Sequence, residues 1–200
     1  MDKVITVRRE RKDMVRNLER VLQAANELFA ERGGNVTMEE VARRAGVGIG
    51  TVYRRFPSKE HLFAAVSHAA CNDTRHCLQQ AANAAPDAAT RLRALIHTLY
   101  QRCQQQAALL DPARAASADQ PTSAEQRYLY AAVYEMIRHT ISEGQRQGTF
   151  SPGSASARAA LCTELLTPHA YHQLAQLTGG DAEQIADEVA RFMLNGLGAG

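Results

Sequence analysis

A chain of 200 residues with 45% hydrophobic residues and a formal net charge of +2 has the size of one medium domain, or of a small module joined to a larger one. No run approaches the roughly 18 apolar residues that a membrane span needs, and the basic N-terminus leads into no apolar signal segment. The four cysteines form no CxxC pair, so we expect reduced thiols, a cytoplasmic protein and no membrane partner.

The charge is unevenly distributed along the chain. Residues 1–60 hold 13 Lys and Arg against 9 Asp and Glu, whereas residues 61–200 carry a net charge of −2. This balance favours a polyanion that contacts one end of the molecule. An uneven solvated surface would give the same balance, so charge alone does not decide between the two.

The N-terminal part predicts three helices in close succession. Apolar residues at helical spacing predict a first helix that ends at Gly33-Gly34. The sequence TMEE at 37–40 has the form of a capping box and opens a second helix that stops near Gly46. A short third helix is predicted over about 48–56, followed by a Pro-Ser break with Ser58 as the cap of a long fourth helix.

The rest of the chain also has helical periodicity, with residues 111–123 as the one expected mobile loop and with no strand pattern or repeat. Further helices are predicted from Asp87, over about 122–147, over about 154–177 with an interruption at Pro168, and from Asp181. The predicted fold class is all-α, with about nine helices.

The second and third predicted helices, joined through Ala45-Gly46-Val47, have the order and length of a helix-turn-helix. Gly48 and Gly50 leave backbone N–H groups of the third helix uncovered, so a phosphate or a base edge can come close. Hydroxyl and guanidinium groups follow on Thr51, Tyr53, Arg54 and Arg55. DNA explains such a surface best, and the alternative is an ordinary helical hairpin with solvated arginines.

Residues 18–66, LERVLQAANELFAERGGNVTMEEVARRAGVGIGTVYRRFPSKEHLFAAV, resemble the N-terminal domain of the TetR family of bacterial transcriptional regulators. The resemblance implies a helix-turn-helix DNA-binding domain with a basic arm (1–60) and a larger helical ligand-binding and dimerisation domain (61–200). LLTPHAYHQLAQLTG (165–179) is similar to the family's proline-broken penultimate helix, and VARFMLNGL (189–197) to its final helix.

The resemblance also implies which residues contact double-stranded DNA. Thr37, Tyr53 and Lys59 fall where the family commonly contacts phosphate, and Arg44 is a further candidate. The positions that enter the major groove or lie at its rim are Gly48, Ile49, Gly50, Thr51, Arg54 and Arg55. Ile49 departs from the polar residue of many members, and we expect it to cover a thymine methyl.

A ligand cavity and a dimer interface follow from the same resemblance. A mostly apolar cavity for a small hydrophobic or aromatic ligand is expected from Phe63, Val66, His97, Tyr100, Cys103, Tyr130, Tyr134, Ile137, Leu166 and His169. Each of these side chains could equally be ordinary core filling. The expected homodimer contacts, in a four-helix bundle, are Leu161, Leu165, Ile185, Val189, Phe192 and Met193. A two-fold dimer requires an inverted-repeat operator.

Two groups of residues could begin a metal site, but neither has a complete ligand set at a known spacing, so no metal or cofactor is expected. They are His68, Cys71, His76 and Cys77, and His169 with His172. The basic stretch RRERK (8–12) is expected either to touch DNA or to be a solvated arm.

No GxSxG, P-loop, GxGxxG or HExxH motif supports an enzyme. The predicted function is a ligand-responsive DNA-binding repressor. The alternative is a helical small-molecule-binding protein or enzyme with a vestigial helix-turn-helix.

Overall fold

The computed structural model describes residues 2–110 and 124–198, and the predicted loop at 111–123 lies outside them. Within these ranges the chain is helical, apart from turns and one isolated β-bridge between Phe150 and Gly198. The helices are α1 (Asp2–Arg32), α2 (Met38–Ala45), α3 (Ile49–Arg55), α4 (Lys59–Ala84), α5 (Ala88–Leu110), α6 (Ala124–Arg146), α7 (Ala155–Leu165), α8 (Pro168–Thr178) and α9 (Ala182–Leu197). The predicted all-α class is confirmed.

Local capping interactions fix the ends of the short helices. The Oγ1 atom of Thr37 accepts the Glu40 backbone N–H at 3.2 Å, and the Glu40 carboxylate accepts the Thr37 N–H at 3.0 Å, so the predicted capping box is present. Gly46 ends α2 with a φ of 63°, a left-handed conformation that favours glycine. Ser58 is the N-cap residue of α4, as predicted, but its Oγ lies 3.0 Å from Nδ1 of His61 and accepts no backbone N–H.

Two hydrophobic clusters form the interior, and α4 contributes to both. The first cluster joins α1, α2 and α3 to Leu62, Val66 and Ala70 from the beginning of α4. The second cluster begins at Cys71 of the same helix and continues through α5 to α9. One helix therefore runs without interruption from the N-terminal cluster into the larger one, and α1 also contacts α5, so the two parts of the chain are joined in both ways.

The N-terminal segment belongs to the same helix, α1, as several residues of the first cluster. The α1 helix begins at Asp2, so the backbone of the basic stretch 8–12 is helical and extends the buried part of α1. Across the described part of the chain, no helix is long and apolar enough to cross a lipid bilayer.

Candidate nucleic-acid interface

The third helix is anchored by one side and exposed on the other. Val52 is fully buried in the first cluster, and Phe56 is buried just beyond the end of the helix. Ile49 and Tyr53 are 38% and 46% exposed, which is high for large apolar or aromatic side chains. Together with two exposed arginines in its last turn, α3 presents a mixed aromatic and cationic surface that its own chain does not cover.

Neither the backbone nor the packing of α3 requires its two glycines. Gly48 has a φ of −67°, and no positive φ occurs at Gly50. A Cβ built on either residue would meet nothing within 4 Å. Gly48 is the N-cap residue of α3, a position that favours glycine over alanine, but Gly50 lies inside the helix, where glycine lowers stability. A partner outside the chain that comes close to this backbone would explain Gly50.

Two of the expected phosphate contacts also hold the domain together. The Thr37 hydroxyl oxygen accepts the Glu40 N–H, which leaves the hydroxyl proton available for an external acceptor. The Lys59 ammonium donates to the Gly34 carbonyl at 2.8 Å and so ties the beginning of α4 to the end of α1. An ammonium has three N–H donors, so two remain for a phosphate. The DNA contacts of these residues stay predictions.

Arg44 has partners within the chain. Its guanidinium donates to Glu27 at 3.3 Å and to Glu31 at 3.5 Å, so that α2 is tied to α1. The hydrogen bond and the negative charge of Glu31 raise the pKa of Arg44, and Glu27 adds to the effect. A phosphate would have to compete with two carboxylates, so the geometry favours a structural role for this residue.

Arg20, a residue not predicted from the sequence, lies against the turn of the helix-turn-helix. Its Nη2 donates to the Gly46 carbonyl at 3.3 Å, and a Cβ on Gly46 would lie only 2.4 Å from that nitrogen. Arg20, Glu27 and Glu31 are spaced by seven and four residues, so they follow one face of α1. That spacing was the available signal that this face of α1 contacts α2 and the turn.

An open cleft of about 840 Å³ separates α1 from α3. Its walls include Met14, Leu18, Thr51, Arg54 and Arg55. The cleft brings the middle of α1 beside the basic end of α3, so both elements lie on the side where DNA contacts are expected.

Two expected ligand residues belong to the N-terminal cluster instead. Val66 is buried in that cluster, and the Phe63 ring packs edge-to-face on Phe29 with ring centroids 5.0 Å apart. The ligand prediction is corrected for both, because these side chains point toward α1 and stabilise the N-terminal part.

Three further expected ligand residues lie near the surface. The Nε2 atom of His97 is 3.1 Å from an Asp187 carboxylate oxygen and joins α5 to α9. Tyr130 is 42% exposed and donates to Glu164, a bond that raises its pKa to about 12. His169 is exposed on α8. None of the three lines the second cluster, so the prediction of a shared cavity is corrected for them.

The remaining expected ligand residues do come together in the second cluster, where Tyr134 is half-buried and the others are buried: Tyr100, Cys103, Ile137 and Leu166. The Tyr100 hydroxyl donates to the Leu165 carbonyl at 2.6 Å, and burial raises its pKa. Between Leu78, Leu99 and Ile137 the crevice is too tight to admit a water molecule. Their role toward a ligand stays a prediction.

The last helices carry an apolar surface that the chain leaves uncovered. Leu161 on α7 and Phe192 on α9 are 70% and 69% exposed, and Leu165 is also exposed. The other three expected dimer contacts, Ile185, Val189 and Met193, are buried in the second cluster and pack inside the chain. The interface prediction is corrected for those three and now depends on the exposed three.

Within the described residues, no group of three or more His, Cys, Asp or Glu side chains is placed to hold a metal ion. The four cysteines, all of which lie in that region, form no disulfide bond.

Comparison with known proteins connects the N-terminal domain to a family. The family model of the bacterial regulatory proteins of the tetR family matches residues 21–66. A helix-turn-helix-type transcriptional regulator of Staphylococcus aureus (strain bovine RF122 / ET3-1) is 42% identical over 53 residues, which is 26% of this chain. The match spans only 29% of that relative's length, so it concerns the N-terminal domain.

Solved structures share the whole fold. The FadR regulator of Bacillus subtilis, solved in complex with stearoyl-CoA, aligns with a TM-score of 0.72 over 90% of this chain and 99% of its own, at 15% identity. A tetR-family protein of Rhodococcus RHA1 aligns with a TM-score of 0.69 over 92% and 98%, at 21% identity. The ketosteroid regulator KstR2 of Mycobacterium tuberculosis gives a TM-score of 0.66 over 92% and 96%, at 18% identity. At these identities the likeness is one of fold.

Proposed function

We propose that this chain is a repressor of transcription of the TetR family, whose family model matches residues 21–66. It binds an inverted-repeat operator in double-stranded DNA as a homodimer, and a small apolar or aromatic ligand releases it. The observation that carries the proposal is the uncovered start of α3, where Gly48 and Gly50 serve neither backbone nor packing. A vestigial helix would gain stability by replacing the helical Gly50 with alanine.

The proposal of a dimer follows from the short length of α3, the helix that would contact the bases. The α3 helix has seven residues, too few base contacts for a specific site, whereas two copies related by a two-fold axis read two half-sites. The exposed Leu161, Leu165 and Phe192 on α7 and α9 supply apolar surface for that pairing.

The continuous α4 helix supports a ligand switch. It packs in the N-terminal cluster through Leu62 and Val66 and in the second cluster through Cys71 and Leu78. A ligand that shifts α4 within the second cluster also shifts α3 relative to its copy in the dimer. By linkage, the ligand must bind the DNA-free form more tightly, by the same factor by which DNA weakens ligand binding. Two proteins of this fold, a FadR solved with stearoyl-CoA and a ketosteroid regulator, make an apolar ligand a reasonable expectation.

The test is a titration of random duplex DNA at 50 mM and 200 mM salt, followed by selection of bound sequences from a random pool. Lys59, Arg54 and Arg55 supply three cations per protomer. If a dimer neutralises about six phosphates, affinity should fall roughly 1,000-fold between those salt concentrations. Selected sequences should contain an inverted repeat. A protein that binds no duplex at 50 mM salt would support the small-molecule-binding alternative instead.

A further inference from the structure

The crevice between α4 and α6 contains an arginine whose described contacts are all neutral. The Arg75 guanidinium donates to the Tyr128 hydroxyl at 3.0 Å and to the Asn72 side-chain oxygen at 3.4 Å, and it lies 5.2 Å from the centroid of the Tyr128 ring. Arg102, on the neighbouring α5, shows the contrast, since it pairs with the carboxylate of Asp73 at 3.0 Å. Among the side chains that the structure describes, no carboxylate forms an ion pair with Arg75.

The crevice has the dimensions and the lining of a small binding site. Its volume is about 320 Å³, at the lower end of the range for ligand pockets. Arg75, Asn72, His68 and Tyr128 supply polar groups, whereas Cys71 and Leu129 belong to the second hydrophobic cluster. One wall is thus cationic and the floor is apolar, which suits a molecule with one anionic end.

We infer that this crevice binds the carboxylate of a small amphipathic acid, with the Arg75 guanidinium as its counter-ion and the apolar part of the ligand against Cys71 and Leu129. The Tyr128 hydroxyl and the Asn72 side chain hold the guanidinium in position, and its planar fork can take a carboxylate with two parallel hydrogen bonds. The inference rests on the proposed function, because it names the chemical class of the ligand that α4 would respond to.

The experiment compares sodium octanoate, 1-octanol and octylamine by isothermal titration on the full chain without DNA. These compounds share one alkyl chain and differ in the charge of the head group. We expect octanoate to bind more tightly than the other two. Arg75→Gln should weaken the binding of octanoate at least tenfold and leave the binding of octanol unchanged. Arg75→Lys should give an intermediate loss of octanoate affinity. Arg146→Gln is the matched control, since Arg146 is exposed at the other end of α6, about 27 Å from Tyr128 along the helix, and should change nothing.

Equal binding of octanoate to wild type and to Arg75→Gln overturns the inference, as does no binding of octanoate, benzoate or dodecanoate. Circular dichroism of both Arg75 variants checks that they are folded. A titration of the ligand-free proteins with duplex DNA separates the two proposals. If the protein binds DNA and its binding of octanoate does not depend on Arg75, the proposed function stands and this inference fails. If its binding of octanoate depends on Arg75 and it binds no duplex, this inference stands and the proposed function fails.

Discussion

Replacing Gly50 with alanine should stabilise the protein and weaken its binding to DNA. The added Cβ meets no atom of the chain within 4 Å, so the fold experiences no clash. Alanine in place of a helical glycine gains roughly 0.5–1 kcal/mol. For a chain of this size, that gain corresponds to a Tm increase of about 1–4 °C.

The same methyl group would intrude on a partner packed against the start of α3. Adding a methyl to a well-packed contact costs about 1–3 kcal/mol, and we expect a similar cost here. This is a roughly 5- to 150-fold increase in Kd for each half-site. Thermal unfolding followed by circular dichroism and fluorescence anisotropy with operator duplex measure the two effects on one preparation.

Gly46→Ala is the contrasting variant. At a φ of 63°, and 2.4 Å from the Arg20 guanidinium, an alanine should destabilise the domain by at least about 1 kcal/mol, so here stability and DNA binding fall together. The reasoning about close approach would be refuted by a Gly50→Ala protein that is more stable and binds DNA as tightly as wild type.

Three further outcomes are expected. Tyr53→Ala should weaken binding to all duplexes by the same factor. Thr51→Ala should change the difference in binding free energy between duplex sequences by about 1–3 kcal/mol, measured in parallel anisotropy titrations. A changed sequence preference in Tyr53→Ala would reverse these roles. Phe192→Glu, which places a charge on the exposed face of α9, should yield monomers in sedimentation velocity, and an unchanged dimer would exclude this face. The Thr37 backbone N–H holds the pKa of Glu40 below its ordinary 4.5, so the stability advantage of wild type over Glu40→Gln should be full above pH 4.5 and decline below it. Denaturant titrations at pH 6 and pH 3.5 measure this, and a constant difference would contradict it.

Features that depend on neighbours in sequence were predictable. The capping box at Thr37 and Glu40, the left-handed Gly46 and the helix break at Pro168 each depend on residues within one turn of the chain. The exposed start of α3 was predictable for the same reason, because two glycines and a following basic turn are visible in the eight residues 48–55.

Features that depend on tertiary packing were not predictable from helical spacing. Apolar periodicity identified Met193 and Phe192 as hydrophobic residues of α9, but one is buried inside the chain and its neighbour is exposed. Periodicity shows which residues are apolar and does not show which surface will cover them. His97 and Asp187 are 90 positions apart, so no local pattern could reveal that the histidine contacts α9 and does not line a cavity.

The position of α4 in both clusters has a consequence for how the DNA-binding part can be isolated. A fragment cut at residue 60 would lose Leu62, Val66 and Ala70, three of the side chains that complete its interior. Losing the burial of one leucine and one valine alone forfeits roughly 3–6 kcal/mol, a large part of the stability of a small domain. An autonomous fragment must therefore extend to at least Ala70, and partial proteolysis should leave that stretch of α4 attached to the N-terminal piece. Because the two parts share a helix, we expect them to unfold in one transition.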